Sequence, residues 1–400
     1  MSSYLKAVKV SENVYWVGAI DWHVRSFHGY ATNRGTTYNA FLVMDEKITL
    51  IDTVKAPFFE EMMERIRSVV DPEKIDYIVS NHAEMDHSGS LPMAIAAIKP
   101  EKVYASPMGE KALSAHFGSL DLTVVKTGDT INLGRSNLAF VETKMLHWPD
   151  SMVSYLDSDK LLFSQDAFGM HLATMELDAS KIDRSLLTAE AKKYFANILL
   201  LQAPKVLELL DALPGLKLDI QIVAPDHGPL WYGPEEISFI LNLYRTMAEQ
   251  KGRKKALVFF DTMWHSTEKM AVAIADGIHA AGVEEVEVLS LSVSDRSEVM
   301  LKLLDCGLVV VGSPTLNNNL FPSVADALVY MKGLRPQNLI GGAFGSFGWS
   351  GEGAKQVQAQ LQEMGVALPF SPLAVKYVPT QEMLVKSFEF GEALGRELLK

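Results

Sequence analysis

Residues 81–87 read Asn-His-Ala-Glu-Met-Asp-His, so His82, Glu84, Asp86 and His87 put two imidazoles and two carboxylates into six consecutive positions. The run 75–79 before them, Ile-Asp-Tyr-Ile-Val, has strand character. A strand ending in such a group delivers it to the C-terminal edge of a sheet. Buried charges are costly unless paired or metal-bound, and an exposed turn has no need of two histidines. Three later segments offer further donors: His147 in 146–151, Asp166 in 164–168 and His227 in 225–228. Each follows a strand signal. Taken singly, each is a loop residue that a cap or a surface group would explain; together with 82–87 they read as a converging ligand set.

A second group of loops fits a different ligand. The strand signal at 256–260 runs into Thr262, Met263, Trp264, His265, Ser266 and Thr267, where a helix opens. Hydroxyls and free amides at a helix N-terminus make an anion site, suited here to a flavin phosphate. A plain Ser/Thr cap followed by Glu268 would account for that loop alone. Two more loops follow the third and fourth strands of the same half. One carries Ser313, Pro314, Thr315, Leu316, Asn317 and Asn318; the other carries Ser346, Phe347, Gly348, Trp349, Ser350 and Gly351. Trp264, Phe347 and Trp349 offer aromatic faces for an isoalloxazine ring, and the asparagines offer amides for its edge. No Gly-x-Gly-x-x-Gly follows a strand here, which excludes a dinucleotide fingerprint.

The elements that must position these groups fall into two rhythms. Residues 8–60 give short strands, followed by a helix with Phe58, Met62, Ile66 and Val70 on one face. Strands are expected at 103–105, 131–134, 138–142, 152–156, 161–164 and 220–223, with a long helix over 185–213 broken at Pro204. This mixture predicts a sandwich of sheets covered by helices over 1–250. After the polar, basic stretch 248–255, strand and helix alternate strictly to the C-terminal helix from about 380. That predicts a doubly wound parallel α/β domain of flavodoxin-like length over 254–400.

Bulk composition is consistent with this. The 400 residues are 48% hydrophobic and 22% charged, ordinary for a globular chain with two cores. A net charge of -12 argues against a general nucleic-acid binder. One cysteine, Cys306, excludes a disulfide framework and any iron–sulfur or rubredoxin module within these residues. No window approaches a membrane span and the N-terminus has no apolar signal region, so a cytoplasmic protein is expected.

The ligand pattern resembles the metallo-β-lactamase fold, whose usual motif is His-x-His-x-Asp-His followed by a distant His, a bridging Asp and a final His. The departure is Glu84 in place of the second His. Glu84, Asp86 and Asp166 then supply three anionic oxygen ligands, which nearly neutralise two divalent ions. Mixed imidazole and carboxylate ligation suits iron at least as well as zinc. Asp166 is the natural bridge, because a carboxylate has two oxygens to share.

With both halves read, the chain resembles the flavodiiron proteins over essentially its full length. The carriers are Asp21-Trp22 with Phe27-His28-Gly29, the segment 35–39, His82-x-Glu84-x-Asp86-His87, the segments 145–151 and 226–228, the segment 263–270 and 345–349. The resemblance implies a metallo-β-lactamase-like domain with a non-haem di-iron centre, followed by a flavodoxin-like domain with FMN. It implies that His82, Glu84, His147 and Asp166 bind one iron, and Asp86, His87, Asp166 and His227 the other. His87 is the ligand whose equivalent swings away in some members. It further implies reduction of dioxygen to water or of nitric oxide to nitrous oxide, in head-to-tail homodimers or dimers of dimers. Rubredoxin, or a similar small carrier, is then a separate electron donor. Where the family commonly has Tyr-Tyr-Ala-Asn, this chain has Tyr194-Phe195-Ala196-Asn197, which leaves Tyr194 and His28 as candidate donors beside the reacting gas. Two other readings compete: a zinc hydrolase fused to a flavodoxin module, and a flavodoxin-like electron carrier whose first half only scaffolds a metal.

Overall fold

The computed structural model describes residues 4–400. It divides into two compact units. The first comprises the chain up to Phe27, Thr32–Tyr194 and Gln202–Arg245; the second comprises His28–Ala31, Phe195–Leu201 and Thr246–Lys400. The sandwich lies in the first unit, while His28–Ala31, Phe195–Leu201 and the chain from Thr246 onward group with the second.

In the first unit a seven-stranded sheet runs Val8–Lys9, Val14–Trp16, Phe41–Val43, Thr49–Ile51, Tyr77–Ser80, Lys102–Ala105, Leu122–Val124. A six-stranded sheet runs Thr130–Asn132, Asn137–Glu142, Met152–Leu156, Leu161–Gln165, Ile222–Pro225, Trp231–Tyr232. Side chains alternate across a strand, so each sheet has an inner and an outer face. Trp16, Phe41, Ile51 and Val79 of the first sheet meet Phe140, Met152 and Phe163 of the second in one core. Leu42, Leu50 and Ile78 point the other way, to a second core with Met62 and Ile66 of the helix Phe59–Arg67, Leu91 and Leu113. Burying each such side chain contributes about 1.5–3 kcal/mol, which sets the register of both sheets.

Two parallel pairings matter most for the site. Tyr77–Ser80 lies parallel between Thr49–Ile51 and Lys102–Ala105, so its carboxyl end releases residues 81–87 at the sheet edge. Leu161–Gln165 pairs parallel with Ile222–Pro225, which brings the loops carrying Asp166 and His227 out side by side. The expected long helix is interrupted before Pro204, not at it. An α-helix Arg184–Tyr194 passes into a π-turn Phe195–Leu199 and a 3₁₀ turn, and Pro204 lies in the first turn of a new helix, Ala203–Ala212. A proline there gives up an N–H that has no partner anyway. The helix Gly233–Ala248 was not expected, although Pro234 and the acidic Glu235 and Glu236 mark its start.

The second unit is a five-stranded parallel sheet in the order Glu285–Ser290, Lys255–Phe260, Leu308–Gly312, Ile340–Phe347, Leu373–Lys376. This is the flavodoxin order 2-1-3-4-5. Its fifth strand is short, half exposed and flanked by prolines, and escapes a hydrophobicity reading. The helices Ser266–Ala280 and Gln381–Leu399 cross at backbone contact. A Cβ on Gly277 would stand 2.0 Å from the carbonyl of Phe388, and one on Gly391 would stand 2.1 Å from that of Ile274, so neither position admits a side chain. Among the described residues no helix is long and apolar enough to cross a membrane.

Candidate metal centre and flavin cavity

The candidate ligands of the first unit converge. His82, Glu84, His147 and Asp166 form one group and Asp86, His87 and His227 another, with the donor atoms of each within 4.8 Å of one another. Asp166 faces both groups. Its Oδ2 is 3.0 Å from His147 Nε2 and 3.3 Å from His82 Nε2, while its Oδ1 is 3.2 Å from His87 Nε2 and 3.5 Å from His227 Nε2. Glu84 closes the first group at 3.0 Å from His147 and 3.4 Å from His82. Asp86 closes the second at 3.1 Å from His227 and 3.4 Å from His87. Ligands about 2.0–2.2 Å from an ion stand roughly 3.0–3.5 Å apart, so the spacing is that of two coordination spheres sharing Asp166.

The polar bookkeeping agrees. His82 Nε2, His87 Nε2, both oxygens of Asp86 and Oδ1 of Asp166 are buried without a hydrogen-bond partner. Such atoms are costly unless something charged sits among them. Burial pushes the His82 and His87 imidazoles toward the neutral form, but the carboxylates around them prevail and hold both well above the usual histidine range. His147 is likewise held at about 9, with burial opposed by Asp166 and Glu84. Burial would raise the Asp166 carboxyl, yet the His87 charge and the bonds to His147 and His82 hold it far below the carboxylate range. Three carboxylates thus demand positive charge at this point, and divalent cations satisfy that demand where protons otherwise must.

An outer ring of groups surrounds the ligands, and no residue type or spacing in the sequence assigns it that role. Asp150 Oδ2 lies 3.0 Å from His82 Nδ1 and accepts the Ala83 N–H at 2.6 Å. The carbonyl of Thr37 meets His227 Nδ1 at 2.6 Å, and Asp226 faces His87 Nδ1 at 3.5 Å. With Nδ1 of His82 and of His227 engaged, Nε2 is left as the ligand atom of each. Asp52 anchors Asn81 by two bonds, of 2.7 and 2.8 Å, at the root of the 81–87 loop. His171 is buried with its ring 4.4 Å from that of His227, 5.1 Å from that of Tyr194 and 4.6 Å from that of Phe27. Burial and the His227 charge hold it well below the usual range, as a neutral imidazole. Asp52, Met145, Gln165 and Phe168 all adopt left-handed backbone on the loops around the centre, conformations that cluster at functional sites. The Leu146–His147 peptide is cis.

Of the two candidate donors, Tyr194 is buried 6.2 Å, ring to ring, from His227. His28 is exposed, has φ 50° and belongs to the second unit, as does the buried Phe195.

In the second unit, the loops at the carboxyl edge of the sheet enclose a cavity of about 540 Å³, within the range of ligand sites. Met263, Trp264 and Ser266 line it from the first loop, Pro314, Thr315, Leu316, Asn317 and Asn318 from the second, and Ser346, Phe347, Gly348, Trp349 and Ser350 from the third. Trp264 and Trp349 are 85% and 87% exposed, so two indoles border the cavity with open faces. Ser266 heads the helix Ser266–Ala280, whose free N–H groups favour an anion. Thr262, His265, Thr267, Ser313 and Gly351, also expected at the flavin, are not among the residues that line it. Thr267 Oγ1 lies 3.0 Å from Ser346 Oγ, Ser313 Oγ donates to the Pro314 carbonyl, and His265 pairs with Glu268. Tyr377 and Val378, on the loop after the fifth strand, complete the wall.

A sandwich that buries two adjoining ligand groups, joined in one chain to a flavodoxin sheet with an aromatic-rimmed cavity, defines a binuclear metalloenzyme with its own flavin domain. The comparisons place it further. Residues 36–228 match the family model described as ODP family beta lactamase, and residues 258–391 match that of flavodoxin. The chain is 46% identical to the rubredoxin-oxygen oxidoreductase of Megalodesulfovibrio gigas and 41% identical to the nitric oxide reductase of Moorella thermoacetica, each match covering 98% of both chains. It is also similar to the crystal structure of the flavodiiron protein from Giardia intestinalis, with 35% identity, a TM-score of 0.95, and 100% of this chain and 98% of that one covered. The chain belongs to the flavodiiron protein family. It is an oxidoreductase whose cofactors are FMN and a di-iron centre.

Proposed function

We propose that this chain takes electrons from rubredoxin or a similar small carrier, passes them through FMN to the di-iron centre, and there reduces dioxygen to water and nitric oxide to nitrous oxide. The two gases are those that the names of its relatives imply. The observation that carries the reading is the placement of Asp166, one oxygen toward His82 and His147 and the other toward His87 and His227. His82, Glu84, His147 and Asp166 would hold one iron, and Asp86, His87, Asp166 and His227 the other. His87 belongs to this set because its Nε2 points between Asp86 and Asp166.

When bound, the two irons supply two reducing equivalents and reduced FMN two more, which matches complete reduction of dioxygen. The protein's part is to hold and neutralise. Asp150 and the Thr37 carbonyl keep Nε2 of His82 and of His227 available, and the carboxylates offset most of the cationic charge. Tyr194, buried beside His227, is the proposed proton and hydrogen-bond donor at the reacting gas. In the second unit the cavity-lining residues would clasp the flavin, with its phosphate at Ser266 and its ring against Trp264, Phe347 and Trp349; Thr262, His265, Thr267, Ser313 and Gly351 support those loops. Head-to-tail homodimers would let the flavin of one chain serve the irons of another.

Metal and flavin analysis of the purified protein, with its visible spectrum, tests this reading. About two irons and one flavin per chain are expected. Zinc without iron would overturn the reading in favour of the hydrolase.

A further inference from the structure

Gln165, one residue before the bridging carboxylate, is fully buried and left-handed at φ 48°. Its polar groups meet three of the loops that carry candidate ligands. Nε2 donates to the carbonyl of Leu146, the residue before His147, at 2.5 Å. Oε1 accepts the backbone N–H of Asp166 at 2.6 Å. Its own carbonyl accepts the N–H of Asp226, the residue before His227, at 2.9 Å. The amide has a single orientation that works, since a carbonyl needs a donor and an N–H needs an acceptor. The pairing of Leu161–Gln165 with Ile222–Pro225 shifts register between Phe163 and Gln165, an irregularity of the kind that re-aims a side chain.

The tie to Leu146 falls where the centre is most open. The side chain of His147 is 13% exposed, against 6% for Glu84, 2% for Asp166 and 0% for His82 in the same group. His82 is fixed from behind by Asp150, whereas the loop of His147 is fastened to the bridging residue by the Gln165 amide. We propose that Gln165 is a positioning residue: its amide sets the spacing of His147 and Asp166, and thereby the affinity of the group His82, Glu84, His147 and Asp166 for its metal. The proposal rests on the di-iron reading above.

The test is anaerobic titration of Fe(II) into chelator-stripped full-length protein, for the wild type, Gln165→Met and Gln165→Glu, with the thermal midpoint of each metal-free protein. Methionine keeps the length and removes both side-chain bonds. Glutamate keeps the acceptor for Asp166 but sets an oxygen against the Leu146 carbonyl. In both variants one iron should bind about 10–100-fold more weakly while the other binds as in the wild type. The metal-free midpoints should stay within a few degrees of wild type. Unchanged isotherms would overturn the proposal, as would equal weakening of both irons with a collapsed midpoint, the mark of a merely structural residue. If the methionine variant does not fold, the glutamate variant decides by the same criteria. A wild type that fails to bind two irons would instead bring down the di-iron reading and this proposal with it.

Discussion

Replacing Asp166 by Asn removes one anionic oxygen from a position that two metal ions would share. In the native chain its oxygens lie 3.0 and 3.2 Å from imidazole nitrogens of the two separate groups. Asparagine preserves the volume and one carbonyl oxygen, but its NH₂ has no lone pair to offer a metal. One ion site therefore loses a ligand outright, and both lose their share of a unit negative charge. A unit charge about 4 Å from another is worth about 4 kcal/mol at an effective dielectric of 20, which corresponds to roughly three orders of magnitude in binding. Glu84 and Asp86 each belong to a single group, so neither can take over the bridge. Anaerobic calorimetric titration of the chelator-stripped protein should show two Fe(II) ions per wild-type chain. Asp166→Asn should retain one, with the other weakened about a thousandfold or lost. Two ions bound with native affinity would refute the bridging geometry.

Trp349→Ala removes an indole face from the flavin cavity and should weaken FMN binding by about tenfold, the upper end for a stacking contact, in a fluorescence titration of the flavin-free protein; unchanged affinity would remove Trp349 from the ring site. Tyr194→Phe should lower turnover of both gases by about a hundredfold, the low end for a proton donor, at unchanged iron content; unchanged turnover would sink its assignment. At Asp45, burial would raise the carboxyl, but bonds from Ser136, Arg135 and Glu46 more than offset it and hold it at about 2. A carboxyl lowered in the folded state stabilises the chain above its unfolded value near 3.8, and that contribution fades as pH falls through about 2. Asp45→Asn should therefore cost about 1 kcal/mol at neutral pH, reduced from the full shift by solvent screening, and less as the pH drops below about 4. Urea midpoints across that range would show it; a pH-independent gap would contradict the assignment.

Much of the centre was legible in the chain because four ligands lie within six residues and the rest end strands. Parallel pairing then brings those strand ends to one edge. The outer ring was not legible. Asp150 and Asp226 sit beside His147 and His227 in sequence, yet Asp150 serves His82 and Asp226 faces His87, and only the folded chain makes those pairings. Gln165 reads as an ordinary polar residue at a strand end, and its left-handed backbone carries no sequence mark. Tyr377 and Val378 were lost with the strand Leu373–Lys376, too short and exposed to register as apolar alternation. Pro204 pointed to a break in the right region, but the interruption lies upstream at Phe195–Leu199, where nothing in the residue types demands a π-turn.

The electron count per dioxygen, with reduced rubredoxin as the sole donor and peroxide assayed in the same vessel, decides whether the flavin and the irons act as one unit. Two irons and one FMN working together predict four electrons consumed per dioxygen with no peroxide released. Two electrons per dioxygen with peroxide accumulating, or no consumption at all, would contradict it.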